Sequence, residues 1–396
     1  MRVSTSWMAQ QSVSSMLDGQ ASLSDLQNRI SSGKRINQPS DDPVGAARAL
    51  ELGHMDADVA QYQRNITSAN ARLGLEDQAL STTSDALTRV RTLVLQGING
   101  TQTDQTRADI AAELSQIRTQ LMGLANGKDG NGDYLFAGNR TGGQPFSAQG
   151  GAVVYNGDDG QRMVAAGPGM QVATGDPGSA VFMNIPTGNG TFQVSSGAGN
   201  TGTAVAGTIS VADRTQWDDG NYTIAFTSAT AYEVRDASNN VVSSGTYADD
   251  GNAVVAFRGV QVGISGTPAA GDSFSVGPSG EQDIFSTLDN IIGALKTTGG
   301  GPAMKNALNA QFSNLDQAID TVTQTRAAIG GRMNALDQQQ SLNGDLSLQY
   351  QGALSDVQDL DYYDAISKLN LQNTALQAAQ MTYTKVQGST LFDYLK

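Results

Sequence analysis

The chain lacks cysteine and contains a single histidine, His54, which excludes several kinds of chemistry at the outset. Without cysteine there can be no disulfide framework, no thiolate metal site and no cysteine nucleophile. One histidine cannot form a metal site that needs several imidazoles. The sequence also has no phosphate-binding loop, dinucleotide fingerprint or nucleophile elbow. We therefore predict a protein that is not an enzyme, with no catalytic residue, no metal and no cofactor.

Positive charge and long apolar runs are also scarce. The 396 residues include 24 Lys and Arg against 38 Asp and Glu, which gives a net charge of −14. Binding to nucleic acid or to anionic lipid needs clustered positive charge, so neither partner is predicted. No stretch resembles a transmembrane span, and the N-terminus lacks the apolar core of a cleavable signal. We expect a protein that stays in the cytoplasm or leaves it by a route that reads no such signal.

Glycine and proline are concentrated in the middle of the chain. Residues 126–280 contain 29 of the 46 glycines and six of the nine prolines. Apolar and polar residues alternate there between turn signals, as in GNYTIAFTSATAYEV, which is typical of short antiparallel strands. The two ends carry apolar residues at helical spacing instead. The predicted fold class is α+β and multidomain, with a long antiparallel, coiled-coil-like helical bundle from both chain ends and an inserted antiparallel β region.

The clearest helical repeat begins after residue 43. Apolar residues recur every seven positions over six heptads and predict a rod helix of roughly 80 Å. A similar stripe near the C-terminus predicts a second long helix, which packs lengthwise against the first. The predicted rod core consists of Leu52, Val59, Ile66, Leu73, Leu80, Leu87, Val94, Leu315, Val322, Ile329 and Leu336.

These patterns predict four domains. Two terminal segments form the first, and they are expected to be mobile in the monomer because their apolar faces are narrow. The helical rod, a small β unit and an inserted β domain follow. The predicted boundaries are 1–40 with 350–396 for the terminal helices, 41–135 with 281–349 for the rod, 136–194 for the small β unit, and 195–280 for the inserted β domain.

The stretch SSGKRINQPSDDP, residues 31–43, is predicted to join two helices. Gly33 is placed where a left-handed residue would end the first helix. Pro39 favours an extended step before it. Asp42 is placed to cap the next helix, with Pro43 as its first residue and Asp41 beside the positive end of its dipole. The adjacent carboxylates have no supporting histidine or second cluster, so we interpret them as structural.

One further cluster imitates a metal site. Asp129, Asn131 and Asp133 have the spacing of the opening of a calcium loop. Tyr134 stands where the sharp turn needs glycine, and Arg140 stands where a bidentate glutamate is needed. We therefore predict a turn that leads into a strand, without a metal.

The terminal segments have apolar faces opposite faces rich in Ser, Gln, Asn and Thr. Two interpretations are open: an ordinary helical hairpin, or helices whose polar faces also pack against copies of the same protein. The second predicts an assembly interface that includes Leu23, Leu26, Ile30, Ile366, Leu369, Leu376 and Tyr383.

Several stretches resemble the bacterial flagellin family. LSDLQNRISSGKRINQPSDDPVGAARALEL, 23–52, is similar to the N-terminal signature of flagellins, and residues 360–395 are similar to their C-terminal region. DYLFAGNRTGGQPF, 133–146, and YNGDDG, 155–160, resemble the hook–filament junction branch, the L-type hook-associated proteins, more than flagellin. Residues 260–279 are similar to a β module of hook-associated proteins. The resemblance is weaker between 195 and 280.

The resemblance implies a function. It implies a structural adaptor of the bacterial flagellum that forms the junction layer between the hook-side hook-associated protein and the flagellin filament. It implies contact with those two proteins and with its own copies in a ring. It also implies unfolded export by the flagellar type III apparatus, with an export chaperone at the C-terminal region, and an extracellular location.

Two alternatives stay open at this point. A filament-forming flagellin would share the same terminal helices. A surface adhesin on a helical stalk would need its binding groups in the acidic, glycine-rich segment 136–280.

Overall fold

A computed structural model of the chain describes residues 2–248 and 253–388. Residues 389–396 of the predicted C-terminal segment and residues 249–252 of the predicted β insertion lie outside the described residues. The chain forms two compact units. The terminal unit comprises Met1–Arg64 and Gln339–Lys396, and the central unit comprises Asn65–Gln338. The four predicted domains divide the chain at other positions and stay a prediction.

The helices come from both chain ends, and the strands lie between them. This confirms the predicted fold class of helical ends with an inserted antiparallel β region. The described helices are α1 (Arg2–Ser32), α2 (Pro43–Ile98), α3 (Asp104–Ala125), α4 (Ile284–Leu295), α5 (Pro302–Gln358) and α6 (Tyr362–Gly388).

Helices α2 and α5 run antiparallel within the central unit. Successive side-chain pairs join residues of increasing number on α2 to residues of decreasing number on α5. These pairs are Asn70–Asp337 at 3.0 Å, Asp77–Arg326 at 2.9 Å and Arg91–Asp316 at 2.8 Å. Arg326 interrupts the apolar stripe of α5, and its ion pair with Asp77 keeps it at the edge of the helix pair. The antiparallel direction follows from the order of these contacts.

The stripes on α2 and α5 contribute to one apolar core together with α3 and α4. In the central unit, nine of the residues predicted for the rod core are fully buried: Ile66, Leu73, Leu80, Leu87, Val94, Leu315, Val322, Ile329 and Leu336. In the terminal unit, Val59 is buried and Leu52 is half-buried. Burial of this stripe removes apolar surface from water, which is the main favourable contribution to folding.

The middle segment is built from short strands whose pairings are all antiparallel in the described residues. The strands are β1 (Phe146–Gln149), β2 (Ala152–Tyr155), β3 (Met163–Gly167), β4 (Met170–Ala173), β5 (Ile185–Pro186), β6 (Phe192–Ser196), β7 (Val205–Val211), β8 (Tyr222–Ser228), β9 (Ala231–Asp236), β10 (Val241–Thr246), β11 (Val254–Phe257), β12 (Val260–Ser265), β13 (Ser273–Pro278) and β14 (Glu281–Gln282).

The first two hairpins, β1–β2 and β3–β4, share the core of the helices. Phe136, Phe146 and Phe182 form edge-to-face contacts, with ring centroids 5.1 Å and 5.5 Å apart. Phe285 of α4 lies 5.8 Å from Phe146, ring centroid to ring centroid. Such aromatic pairs add to the energy of burial. The small β region is therefore part of the helical core rather than a separate globule.

Strands β6 to β13 form a second core of their own. A five-stranded sheet in the order β10-β9-β8-β13-β6 and a three-stranded sheet in the order β11-β12-β7 contribute its buried side chains. Strands β6 and β13 are neighbours, with Phe192 opposite Pro278. Asn306 and Asn309 of α5 hydrogen-bond to backbone groups of Ala204 and Ala206 at 2.8–3.0 Å. These amides connect the β module to the long helix.

We predict that Leu73→Ala lowers the free energy of unfolding of the central unit by about 2–5 kcal/mol, because it leaves a cavity in the fully buried stripe. Leu75→Ala is the matched control, since Leu75 lies on the same helix and is 44% exposed. It should change stability by no more than about 0.5 kcal/mol. Urea denaturation of the full chain measures both. Equal losses in the two variants would contradict the assignment of this face as core.

Candidate assembly site

The first feature of the site is the end of α1. Gly33 adopts a left-handed conformation with a φ of 72°, and its N–H donates to Arg29 O at 2.9 Å. A side chain at this position would be strained by the positive φ, and its Cβ would lie 2.9 Å from the hydroxyl of Tyr362. Glycine therefore ends the helix here and allows Tyr362 to approach.

A tight turn follows, with Pro39 at its second position. The N–H of Asp41 donates to Gln38 O at 2.9 Å, which closes the turn. The Asp41 carboxylate in turn accepts the N–H groups of Gln38 and Asn37, both at 3.0 Å. These backbone hydrogen bonds, together with the charge of Arg29, lower the pKa of Asp41 below its ordinary value of 3.8. Asp41 thus stabilises the turn through these hydrogen bonds. The role predicted from the sequence was a favourable interaction with the dipole of α2.

Asp42 begins α2. Its Oδ1 accepts the N–H of Gly45 at 2.9 Å, and Pro43 is the first helical residue. This bond satisfies one of the amide groups that the first turn of a helix leaves without a partner. Proline fits the next position because its missing N–H would have had no intrahelical acceptor.

The break between α1 and α2 is hydrogen-bonded to the break between α5 and α6. The N–H of Arg35 donates to Gln358 O at 2.8 Å, and its guanidinium donates to Val357 O at 2.6 Å. The N–H of Leu360 donates to Gly33 O at 3.0 Å. Arg35 therefore gives hydrogen-bond donors to carbonyl groups at the C-terminal end of α5, where the helix dipole favours a cation. We call this paired structure, residues 33–42 with 357–362, the joint.

The pairing of the joint was not predicted from the sequence. Glycine, proline and the aspartates identify the N-terminal half, because each has a local conformational preference. The contacts of Arg35 and Tyr362 depend on residues more than 300 positions away. Only a matching break in the helical pattern near residue 359 could have indicated them.

Helices α1 and α6 pack against each other within the terminal unit. None of residues 7–32 is buried, and between residues 362 and 385 only Ala365 is. Of the residues predicted for the assembly interface, Ile366 is exposed and the other six are half-buried: Leu23, Leu26, Ile30, Leu369, Leu376 and Tyr383. The helix pair by itself therefore encloses almost no core.

A groove of about 700 Å³ runs between α1 and α6. Apolar side chains line much of it, including Met8, Met16, Leu376 and Tyr383. Other large apolar side chains of these helices point away into solvent. They include Trp7, Leu17, Leu371 and Met381, which are 60–72% exposed. These four residues lie outside the single apolar face that helical spacing indicates, so the spacing did not predict them.

The described residues offer no metal centre. Groups of three or more potential metal ligands are absent from residues 2–248 and 253–388. In the calcium-like turn, Asp129 accepts the N–H groups of Asn131 and Asp133 and forms an ion pair with Arg72 at 2.7 Å. Its carboxylate oxygens are thus used by the protein. Within the described part of the chain, no helix combines the length and the apolarity that crossing a membrane requires.

We predict that Asp42→Ala destabilises the start of α2 by about 1 kcal/mol, because the first turn loses its cap. Hydrogen exchange of the Gly45 amide in the full chain measures this locally, and it should become faster. Ser40→Ala, two residues away on the exposed turn, is the control and should leave that amide unchanged. Unchanged exchange at Gly45 in the Asp42 variant would contradict the assigned cap.

Comparison with known proteins places these features in a family. The bacterial flagellin N-terminal helical region matches residues 3–141, and the flagellin C-terminal helical region matches residues 312–395. Between them, the D2-like domain of flagellar hook-associated protein 1 matches residues 195–278. The two helical ends and the β module are thus each similar to parts of flagellar proteins.

Hook-associated proteins are similar to most of the chain. Flagellar hook-associated protein 3 of Escherichia coli K12 is 28% identical over 401 residues and covers 100% of both chains. The crystal structure of FlgL from Xanthomonas campestris is 37% identical, with a TM-score of 0.71 over 76% of this chain and 98% of that chain. Hook-associated protein 3 of Legionella pneumophila is 30% identical, with a TM-score of 0.74 over 77% and 98%.

Flagellins are similar over less of the sequence. Six flagellins and filament core proteins align with only 27–37% of this chain. The match over nearly the whole length of the FlgL structures, together with the helical ends and the inserted β module, distinguishes the two groups. The chain belongs to the FlgL family of hook-associated proteins, which are structural components of the bacterial flagellum.

Proposed function

We propose that this chain is the structural adaptor of the hook–filament junction, where it forms a layer between the hook-side hook-associated protein and flagellin. Copies of the chain would lie side by side in a ring. The adaptor works by mechanical contact and needs no catalytic step, so we also propose that it is not an enzyme. Its place of action is the extracellular flagellum.

The observation that carries this proposal is the unburied state of the α1–α6 pair. Trp7, Leu17, Leu371 and Met381 expose most of their apolar surface to water in the single chain. Each such side chain gains roughly 1.5–3 kcal/mol when it is fully buried. Two helices cannot bury apolar residues on all sides of each other, so the remaining surface fits packing against neighbouring chains.

The polar faces of the same helices fit this packing as well. They are rich in Ser, Gln, Asn and Thr, and residues 1–32 include four charged residues. Neutral amides and hydroxyls cost less to bury than ions, provided that they find hydrogen-bond partners. A helix surrounded by other helices in a layer can therefore bury this face, whereas a lone hairpin on a globular protein would gain nothing from the low charge.

The joint supports a mechanical role for the terminal unit. Gly33, Pro39, Asp41, Asp42 and Pro43 fix how α1 ends and α2 begins, as described above. A pair of flexible loops would transmit little force, whereas the hydrogen bonds of Arg35 and Leu360 tie both chain segments together. We propose that the joint holds the terminal helices in the assembled layer.

Export is the last part of the proposal. We propose that the chain passes unfolded through the flagellar type III apparatus and that a chaperone binds its C-terminal region beforehand. Family membership supports this, and so do Leu371 and Met381, whose exposure on α6 offers apolar contacts. Neither the flagellin nor the adhesin alternative has an observation that favours it over the junction.

We predict that the double variant Leu371→Ser with Met381→Ser stays folded but fails to complete the junction, because it loses apolar surface needed for contact between chains. Swimming and the presence of filaments in cells that carry only this variant measure the effect. The amount secreted is measured in the same cells, so that failed export is distinguished from failed assembly. Purified wild-type protein, unlike a flagellin, should form no long filaments alone.

Val241→Ser is the matched control for this test. Val241 lies on β10 and is 48% exposed, so the variant also replaces an exposed apolar side chain by serine, but far along the sequence from α6. Cells with this variant should swim normally. Normal swimming of the double variant, with normal secretion, would overturn the assignment of α6 as an assembly surface.

We also predict that α1 and α6 exchange their amide hydrogens quickly in the dilute monomer and slowly in the assembled junction. Helices with almost no buried side chains open locally at little cost in free energy, whereas α2 between residues 66 and 94 is held by the core. Hydrogen exchange with mass spectrometry compares these segments in one sample. Strong protection of residues 7–32 in the dilute monomer would contradict the predicted mobility of the terminal segments.

A further inference from the structure

Helix α2 contains a buried acid within its apolar stripe. Glu76 is only 1% exposed and lies between the fully buried Leu73 and Leu80. Its Oε1 accepts the N–H of Asp176 at 2.9 Å. Its Oε2 is buried as well and has no hydrogen-bond partner within the described residues. Burying a carboxyl group with one oxygen unpaired costs free energy, so its presence in the core needs an explanation.

The partner of Glu76 belongs to a short connection that we call the 174–178 loop. It links β4 to the π-helical turn at Ser179–Met183. Arg332 of α5 forms an ion pair with the Asp176 carboxylate and also contacts Ala173 O at 3.4 Å. Two long helices therefore hold this loop, α5 through an ion pair and α2 through the Glu76 carboxyl. The loop in turn fastens the small β region, since Gly178 donates to Phe136 O at 2.9 Å.

The charges around Glu76 are already paired without it. Arg332 pairs with Asp176, and Arg72, one turn before Glu76 on α2, pairs with Asp129 at 2.7 Å. Arg72 also donates to the carbonyls of Tyr134 and Leu135. Two arginines and two aspartates cancel, so Glu76 has no counter-ion of its own. A carboxyl group that is buried without a counter-ion keeps its proton.

We propose that Glu76 forms a proton-dependent contact with the 174–178 loop. As a neutral acid it holds the loop against α2, and when it ionises the loop is released. The neutral form accepts the Asp176 N–H through Oε1 and carries its proton on Oε2. The ionised form places a negative charge in the core beside the Asp176 carboxylate, and moving the loop away admits water to it.

The direction of the pH dependence follows from linkage. Burial, followed by the charge of Asp176, raises the pKa of Glu76 from 4.5 to about 8. The folded state therefore holds this proton more tightly than the unfolded state does. The contribution of Glu76 to stability is full below pH 4.5, falls as the pH rises to about 8, and is constant above that. One proton changes the unfolding equilibrium by at most about tenfold per pH unit.

Glu76→Gln in the full chain tests the proposal, because glutamine keeps the shape and the acceptor without the titration. Infrared spectra at pH 7 should show a protonated carboxylic acid band in the wild type that is absent from Glu76→Gln. Hydrogen exchange of residues 173–178 between pH 7 and 9.5 gives the second measurement. In the wild type, exchange should rise beyond the intrinsic effect of base, whereas in Glu76→Gln it should rise by the intrinsic factor alone.

Glu113→Gln is the matched control, since the Glu113 side chain on α3 is 42% exposed and forms an ion pair with Arg89. It should behave as the wild type in both measurements. If the wild type lacks the band at pH 7, Glu76 is ionised there and the proposal fails. If the band is present but the loop exchanges alike in the wild type and Glu76→Gln at every pH, Glu76 does not control the loop and the proposal also fails.

Discussion

The antiparallel packing of α2 against α5 is the interaction on which the rest of the structure depends. It brings together two segments that are separated by more than 200 residues, and their apolar stripes contribute to the core that α3, α4 and the first β hairpins complete. Because these helices are aligned, the chain between residues 98 and 302 must connect the end of α2 to the start of α5. The β6–β13 module, which has a core of its own, can therefore vary without changing the stripe, whereas a slip along the stripe would misplace every ion pair between the helices.

The sequence predicted this arrangement well because the signal is periodic and long. A seven-residue repeat over six heptads leaves little choice of face, and Leu73, Leu80 and Leu87 are fully buried. The start of α2 at Pro43 and the end of α1 before Gly33 were equally accessible, since caps and left-handed glycines are local preferences. The antiparallel strands followed from alternation and turn residues.

What the sequence could not supply are contacts between distant segments. The guanidinium of Arg35 donates to the end of α5, more than 300 residues away, and no local pattern indicates that partner. Asp41 holds a turn that only the folded backbone creates. Glu76 is an acid at a core position, and whether such a residue is paired, protonated or displaced depends on Arg72, Asp176 and Arg332, whose placement no periodicity predicts. The exposed apolar side chains of α1 and α6 were not predicted for another reason: helical spacing identifies only one face of a helix.

The neighbouring positions of β6 and β13 have a consequence for how this family can diversify. The chain enters the β module at Phe192 and leaves it at Pro278, and these residues are paired across two adjacent strands. A module with adjacent entry and exit points can be exchanged for a larger, smaller or unrelated domain while the host helices keep their register. Insertion or recombination can thus change this module while the apolar stripes of α2 and α5 stay the same.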